Sequence, residues 1–105
     1  MKPMEEKWKL VFDEVMISQL KGLARDNNLK NIISRLLDKI ELLGPFAGKL
    51  LDSKLHIYEV KNLRPPIRLY FKIIEYSQEV YVFEYEMKTS KGKQKNTINK
   101  IRLKS

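Results

Sequence analysis

Residues 66–88, PIRLYFKIIEYSQEVYVFEYEMK, contain two apolar runs separated by a short polar segment. The runs IRLYFKII and EVYVFEYEM are rich in Ile, Val, Tyr and Phe, which fit a pleated, half-buried surface. The polar residues 75–78 between them predict a short hairpin turn, although the Asn-Gly or Asp-Gly pair that would define its type is absent. The stretch therefore predicts two antiparallel strands at the centre of the protein.

The side chains of the first strand divide into two faces, because successive residues of a strand point to opposite sides. The apolar face consists of Ile67, Leu69, Phe71 and Ile73. The other face consists of Arg68, Tyr70 and Lys72. The pattern thus predicts a sheet with one core face and one face that combines cations with an aromatic ring.

The length of 105 residues indicates one domain, residues 1–105, with a modest core. Hydrophobic residues make up 43% of the chain and charged residues 32%, which is typical of a globular protein. The absence of cysteine excludes disulfides and Cys-based zinc sites and favours a reducing, cytoplasmic compartment. No apolar run approaches the roughly 18 residues of a membrane span. No apolar signal segment is present near the N-terminus, so we expect neither a membrane partner nor secretion.

The net charge of +8 is unevenly distributed along the chain. Residues 1–48 contain eight basic and seven acidic side chains, whereas residues 49–105 contain thirteen and six. Seven basic residues and no acidic one follow Met87. This asymmetry favours a polyanionic partner, nucleic acid before an acidic protein, although solvated lysines would give the same composition.

The remaining periodicities predict helices on one side of an antiparallel sheet. We expect a strand at residues 7–12 and a helix around residues 16–24 that Asp13 caps. A second helix is expected at residues 29–43, with Asn27 or Asn28 as its cap and Gly44 at its end. Residues 46–53 are expected to be a connection, residues 54–61 a strand, residues 62–66 a loop, and residues 96–103 a short basic helix after a loop through residue 93. The order β-α-α-β-β-β, followed by this basic segment, defines an α+β fold with two N-terminal helices packed on one face of a small antiparallel sheet.

The residues offer no standard catalytic constellation, such as a phosphate-binding glycine loop, a histidine pair for a metal, or a nucleophile beside a histidine base. We therefore expect no metal and no small-molecule cofactor. His56, the sole histidine, is interpreted first as a structural or surface residue and second as a general base. Glu84 and Glu86 are interpreted as a solvated edge or as partners of lysines rather than as a hydrolase carboxylate pair.

A sheet that displays Lys, Arg and Tyr can bind single-stranded RNA, because cations bind phosphates and aromatic rings stack with unpaired bases. It can also support RNA cleavage without a metal, since the ribose 2′-OH attacks its own 3′-phosphate while fixed cations neutralise the developing charge. The candidate RNA-binding residues are Lys54, His56, Tyr70, Lys72, Tyr85, Lys93 and Lys95. Tyr81 is a further candidate for stacking with a base.

The order of three motifs resembles the RelE/ParE toxin superfamily, and most closely its HigB-like, phage-derived Gp49-like branch. That branch reads L-Y/W-E-L-R, then Y/R-R-I/V-F/L-Y/F, then an apolar strand that runs into F-x-K-K-T-x-K. The corresponding segments here are LHIYEVK at residues 55–61, IRLYF at residues 67–71 and YEMKTSK at residues 85–91. The run LLGPFAGKLLDSKL before them also matches the family, whereas the Lys-Lys-Thr cluster is loosened here to Lys88-Thr89-Ser90.

The resemblance implies a small toxin of a toxin–antitoxin pair, which cleaves mRNA on the ribosome and is silenced by a cognate antitoxin, expected to be a helix-turn-helix protein. It implies that Arg68 contacts the scissile phosphate and that Lys61, Lys88 and Lys91 belong to the same catalytic set, with Lys93 as a helper.

Other interpretations stay open on the sequence. Arg68 could instead form a cross-strand ion pair with Glu84 or Glu59. The protein could be a non-catalytic module that binds nucleic acid or a protein partner. It could also resemble the ParE branch in function and inhibit DNA gyrase.

Overall fold

A five-stranded sheet forms the centre of the protein in the computed structural model, which describes residues 7–87 and 90–105. The elements are β1 (Lys9–Phe12), α1 (Glu14–Gly22), α2 (Asn27–Leu43), β2 (Lys49–Asp52), β3 (Ile57–Asn62), β4 (Ile67–Ile74), β5 (Glu79–Met87) and α3 (Lys91–Lys104). The spatial order is β1-β5-β4-β3-β2. Strands β2 to β5 pair antiparallel, whereas β1 pairs parallel with β5. The α+β class is confirmed, and the sheet is mixed rather than wholly antiparallel.

Helices α1 and α2 cover one face of the sheet, as predicted. The apolar face of β4 lies in their core, where each of its four predicted side chains is at most 3% exposed. Met16 of α1 and Ile33 and Ile40 of α2 pack in the same cluster. Leu43, the last residue of α2, is 39% exposed because the helix ends there.

The ends of these helices follow from their capping residues. The Asp13 carboxylate accepts a hydrogen bond from the Val15 backbone N–H at 3.0 Å and caps α1, as predicted. Asp26, and neither predicted asparagine, caps α2 by accepting from the Leu29 N–H at 3.0 Å. Gly44 ends α2 with a φ of +54°. No helix among the described residues is long and apolar enough to span a membrane.

The edge strand β2 lies where the sequence predicted a connection, and β3 begins three residues later than predicted. The side chain of Asp52 explains the late start, because it accepts hydrogen bonds from the backbone N–H groups of Lys54 and Leu55, both at 3.0 Å. These bonds hold a turn rather than a strand. His56 follows with a φ of +58°, so its predicted place on a strand is wrong.

Helix α3 is longer than predicted, and it covers the second face of the sheet. It begins at Lys91 rather than at residue 96, because the Ser90 hydroxyl accepts from the Lys93 backbone N–H at 3.2 Å and caps the first turn. Ile101 of α3 is fully buried in a second cluster of apolar side chains. The other buried members of this cluster are Ile57, Tyr70 and Phe83.

A bulge in β5 helps to build this second face. Tyr70 pairs with Glu84 and Phe71 pairs with Val82, so Phe83 is an extra residue in β5. Phe83 packs under α3, and Glu84 faces the same side, where it pairs with Lys100.

Polar contacts along its length attach α3 to the sheet. Thr97 donates to Glu86 at 2.7 Å, and Lys100 forms an ion pair with Glu84 at 3.2 Å. Further along the helix, Arg102 pairs with Asp52 and Lys104 pairs with Asp13, each at 2.9 Å. Because only a few apolar side chains of α3 are buried, these contacts carry much of its docking.

The contact between α3 and Asp13 predicts a pH dependence of stability. Burial tends to raise the pKa of Asp13, but hydrogen bonds from Tyr81, Lys104 and Val15 outweigh it and hold the pKa below its usual value of 3.8. A carboxyl whose pKa is lower in the folded state stabilises that state above this value, and the effect is lost as pH falls through the folded-state pKa. Asp13→Asn keeps a capping side chain but removes the charge that Tyr81 and Lys104 contact, so it should reduce the free energy of unfolding at pH 7 by about 2 kcal/mol.

Urea titrations at pH 7 and pH 3 check this expectation, because the difference between wild type and Asp13→Asn should shrink at the lower pH. Asp38→Asn is the matched control, since Asp38 is exposed on α2. An equal loss of stability at both pH values would contradict a role for the Asp13 charge.

Candidate nucleic-acid interface

Arg68 lies on the sheet face opposite α1 and α2, in a row of side chains across three strands. Its neighbours in register are Lys61 on β3 and Glu86 on β5. The Arg68 side chain is 36% exposed, so it is partly accessible to solvent. Lys61 is exposed beside it.

The guanidinium of Arg68 forms an ion pair with Glu59, one of the two partners considered from the sequence. Arg68 Nη1 donates to both carboxylate oxygens of Glu59, at 3.1 and 3.2 Å. Glu59 is 3% exposed, so its negative charge is buried against the sheet. Arg68 Nε and Nη2 donate no hydrogen bond to any residue in the described ranges.

An open cleft of about 370 Å³ lies next to this row, between the end of β5 and α3. Its floor includes Glu86, whose carboxylate accepts hydrogen bonds from the Tyr70 hydroxyl at 2.6 Å and from Thr97 at 2.7 Å. Lys93 and Lys100 line the same cleft. The contact between Thr97 and Glu86 thus brings the first turns of α3 to the row that contains Arg68.

The lysines of the first turns of α3 are free to bind an anion. Lys91, Lys93 and Lys95 are exposed and form no ion pair with a described residue. They lie at the helix N-terminus, where the helix dipole already favours negative charge. Lys88, predicted to be catalytic, lies outside the described residues.

A second set of predicted RNA-binding residues lies at the other end of the sheet. Lys54 is exposed in the turn before β3, and His56 and Lys72 line a separate open cleft of about 540 Å³. Arg68 and Lys72 point to the same side of β4, but Tyr70 between them is covered by α3. The structure therefore divides the predicted cationic face into two patches.

The predicted stacking of bases on Tyr70 is wrong, because Tyr70 is fully buried under α3. Burial and the hydrogen bond to Glu86 raise the pKa of Tyr70 far above its usual value. Tyr85 lies on the opposite face, where it packs against the core of α1 and α2, and burial raises its pKa. Tyr81 donates to Asp13 at 2.7 Å, which together with burial raises the pKa of Tyr81 to about 12.

Two residues of this region were not identified as site residues from the sequence. The sequence predicts Glu59 only as a possible partner of Arg68. Glu59 and Lys61 are two residues apart on β3, so both side chains lie on the same face as Arg68. Gln19 of α1 binds the backbone of Tyr85, accepting from its N–H at 3.0 Å and donating to its C=O at 2.7 Å. No sequence signal identifies Gln19. The described ranges contain no cluster of three or more His, Asp or Glu side chains that could hold a metal ion.

The fold matches that of solved toxin structures. The chain superposes on a chain of the intact E. coli RelBE toxin–antitoxin complex with a TM-score of 0.64 and 21% sequence identity, over 79% of this chain and 99% of that one. The isolated E. coli RelE toxin gives a TM-score of 0.62 and 19% identity, over 90% and 98%. The RelBE2 toxin–antitoxin complex of Mycobacterium tuberculosis gives 0.52 and 14%, over 80% and 94%.

These likenesses establish a fold that the chain shares with RelE toxins. They extend over nearly the whole of each matched toxin chain, so the likeness is not limited to a sheet motif. No protein-family model matches the sequence, and no curated protein sequence matches it.

Proposed function

We propose that this protein is the toxin of a type II toxin–antitoxin system and acts in the cytoplasm as a metal-independent, ribosome-dependent mRNA endoribonuclease of the HigB-like branch. The observation that carries the proposal is the partly exposed Arg68 side chain, whose Nε and Nη2 are free of hydrogen bonds to described residues. The fold shared with RelE and the sequence motifs around Arg68 support the same function.

The proposed chemistry uses the RNA itself as the nucleophile. The ribose 2′-OH attacks the adjacent 3′-phosphate, its proton leaves to a base, and the 5′-oxygen departs and takes up a proton. Arg68 binds the phosphoryl oxygens and neutralises the charge that grows on them in the transition state. Lys61 lies beside Arg68, where it can contact the same phosphate or assist proton transfer.

The lysines at the start of α3 are proposed to bind the neighbouring phosphates of the RNA. Lys91, Lys93 and Lys95 follow the strand that holds Glu86, the register neighbour of Arg68. Several cations at the start of α3 can contact successive phosphates, because the phosphates of single-stranded RNA are regularly spaced. Lys88 is proposed to join this set.

The second patch is proposed as an additional RNA-backbone contact, in which His56 and Lys72 line one open cleft and Lys54 lies in the turn before β3. Helix α3 covers the sheet between Arg68 and this patch. An RNA strand that contacts both would therefore pass around α3 rather than across the sheet surface. The proposed protein partner is a cognate antitoxin, which is supported by two of the matched structures because they are toxin–antitoxin complexes. The helix-turn-helix type proposed for it rests on the sequence resemblance alone.

Mapping of mRNA 5′ ends in a translating extract tests the proposal. Addition of the protein should create new 5′ ends within translated codons, and puromycin-dissociated ribosomes should not support cleavage. Growth inhibition with intact mRNA and broken DNA would instead indicate gyrase inhibition. Binding of RNA without new ends would indicate a non-catalytic module.

A further inference from the structure

We infer that Glu59 is a positioning residue, which orients the Arg68 guanidinium for the phosphate; the inference rests on the proposed function of Arg68. Both oxygens of Glu59 contact a single nitrogen, Nη1, at 3.1 and 3.2 Å. Among the described residues this leaves Nε and Nη2 without hydrogen bonds, and these two groups form one edge of the guanidinium. Arginine binds phosphate through such a pair of parallel N–H groups.

Glu59 is held firmly enough to orient a long side chain. Its side chain is 3% exposed, and β3 lies between β2 and β4 in the sheet. The backbone of Glu59 also packs against Gly48, where a Cβ would overlap the Glu59 carbonyl oxygen. The partly exposed Arg68 therefore has its charged end fixed by a buried group on the neighbouring strand.

The charge of Glu59 has the wrong sign for a residue that contributes RNA affinity. A carboxylate next to the phosphate contact weakens the attraction between Arg68 and RNA. Orientation of Arg68, in contrast, acts on the chemical step, where a small displacement of a positioned group strongly lowers the rate. Glu59 should thus contribute to the cleavage rate and not to binding of the RNA.

Glu59→Gln tests the inference, because glutamine keeps the size of the side chain and removes its charge. We expect NMR relaxation to show a rigid Arg68 Nε–H group in the wild type. In Glu59→Gln the same group should be much more mobile. A 2′-O-methyl oligouridine, which cannot be cleaved because it has no free 2′-OH, should shift the NMR signal of this group in the wild type. Glu84→Gln is the matched control, since Glu84 is a buried carboxylate on the same face that pairs with Lys100 instead.

Cleavage kinetics supply a second readout that a merely structural role would not change in the same way. On translating ribosomes, Glu59→Gln should lower the maximal single-turnover rate of mRNA cleavage by about tenfold. The concentration of translating ribosomes that gives half of the maximal rate should not rise. In an Arg68→Ala background, Glu59→Gln should cause no further loss. A merely structural role would lower the fraction of folded protein, which urea denaturation measures, and leave the rate per folded molecule unchanged.

The two readouts separate failure of this inference from failure of the proposed function. An Arg68 signal that is equally ordered in wild type and Glu59→Gln would overturn the positioning role, whatever the cleavage result. An unchanged maximal rate in Glu59→Gln would overturn it as well. A wild type that cleaves no RNA, combined with loss of Arg68 order in Glu59→Gln, would disprove the nuclease function and leave the positioning role standing.

Discussion

Combined replacement of Arg68 by alanine and Glu59 by glutamine is expected to restore growth to cells that express the protein and to lower mRNA cleavage by about 100-fold or more. The magnitude follows from loss of a fixed cation that stabilises charge in the transition state, which costs roughly 10²–10³ in rate. Primer extension on a single translated mRNA measures the cleavage, and a growth curve measures the toxicity.

The second substitution keeps the result interpretable. Arg68→Ala alone would leave the buried Glu59 carboxylate without its partner, since Arg68 Nη1 donates to both of its oxygens. An orphaned buried charge of this kind costs about 3–5 kcal/mol, and less here because solvent reaches Arg68. Glutamine at position 59 removes that charge, so a loss of activity in the double variant beyond the loss in Glu59→Gln alone reports on Arg68 rather than on unfolding.

Arg35→Ala is the matched control for Arg68. Arg35 is an exposed arginine on α2, and α2 covers the opposite face of the sheet. It should keep full toxicity. Full toxicity in a folded Arg68→Ala/Glu59→Gln double variant would remove Arg68 from the mechanism.

Gly48→Ala is expected to lower the free energy of unfolding by about 3 kcal/mol, a large loss for a substitution that adds one methyl group. A Cβ at Gly48 would overlap the carbonyl oxygen of Glu59 and lie 2.8 Å from its carbonyl carbon. Backbone atoms cannot move aside as a flexible side chain can, so β2 would have to separate from β3. Urea denaturation monitored by Trp8 fluorescence measures the loss.

Gly22→Ala provides the comparison, and it should act in the opposite direction. Gly22 ends α1 with an ordinary helical φ of −69°, and a Cβ there would meet no atom within 4 Å. Alanine loses less conformational entropy on folding, so we expect about 0.5–1 kcal/mol of stabilisation. Equal effects of the two substitutions would show that the contact between Gly48 and Glu59 is not tight.

Local patterns were sufficient to predict the part of the fold that surrounds β4. The alternation of Ile67, Leu69, Phe71 and Ile73 correctly separated the face that packs against α1 and α2 from the face with Arg68. The second helix and the cap at Asp13 depend on neighbours in the sequence, so they were also predictable. Each of these features is decided within a few residues of chain.

The errors came from contacts between distant segments. The burial of Tyr70 depends on α3, which lies more than twenty residues further along the chain and attaches through pairs such as Lys104 with Asp13. The late start of β3 depends on the side chain of Asp52 in the preceding turn. A basic segment also gives little helical periodicity, so the full length of α3 could not be read from its sequence.

The hydrogen bonds of Gln19 have a consequence for how the protein associates with other chains. Strand β1 pairs with β5 from Glu79 to Val82, and beyond that point Gln19 occupies the donor and acceptor of Tyr85. A side-chain amide thus takes the place of a neighbouring strand at an edge that would otherwise attract one. A foreign strand, whether from a misfolded copy or from a partner, would have to displace Gln19 before it could extend the sheet there.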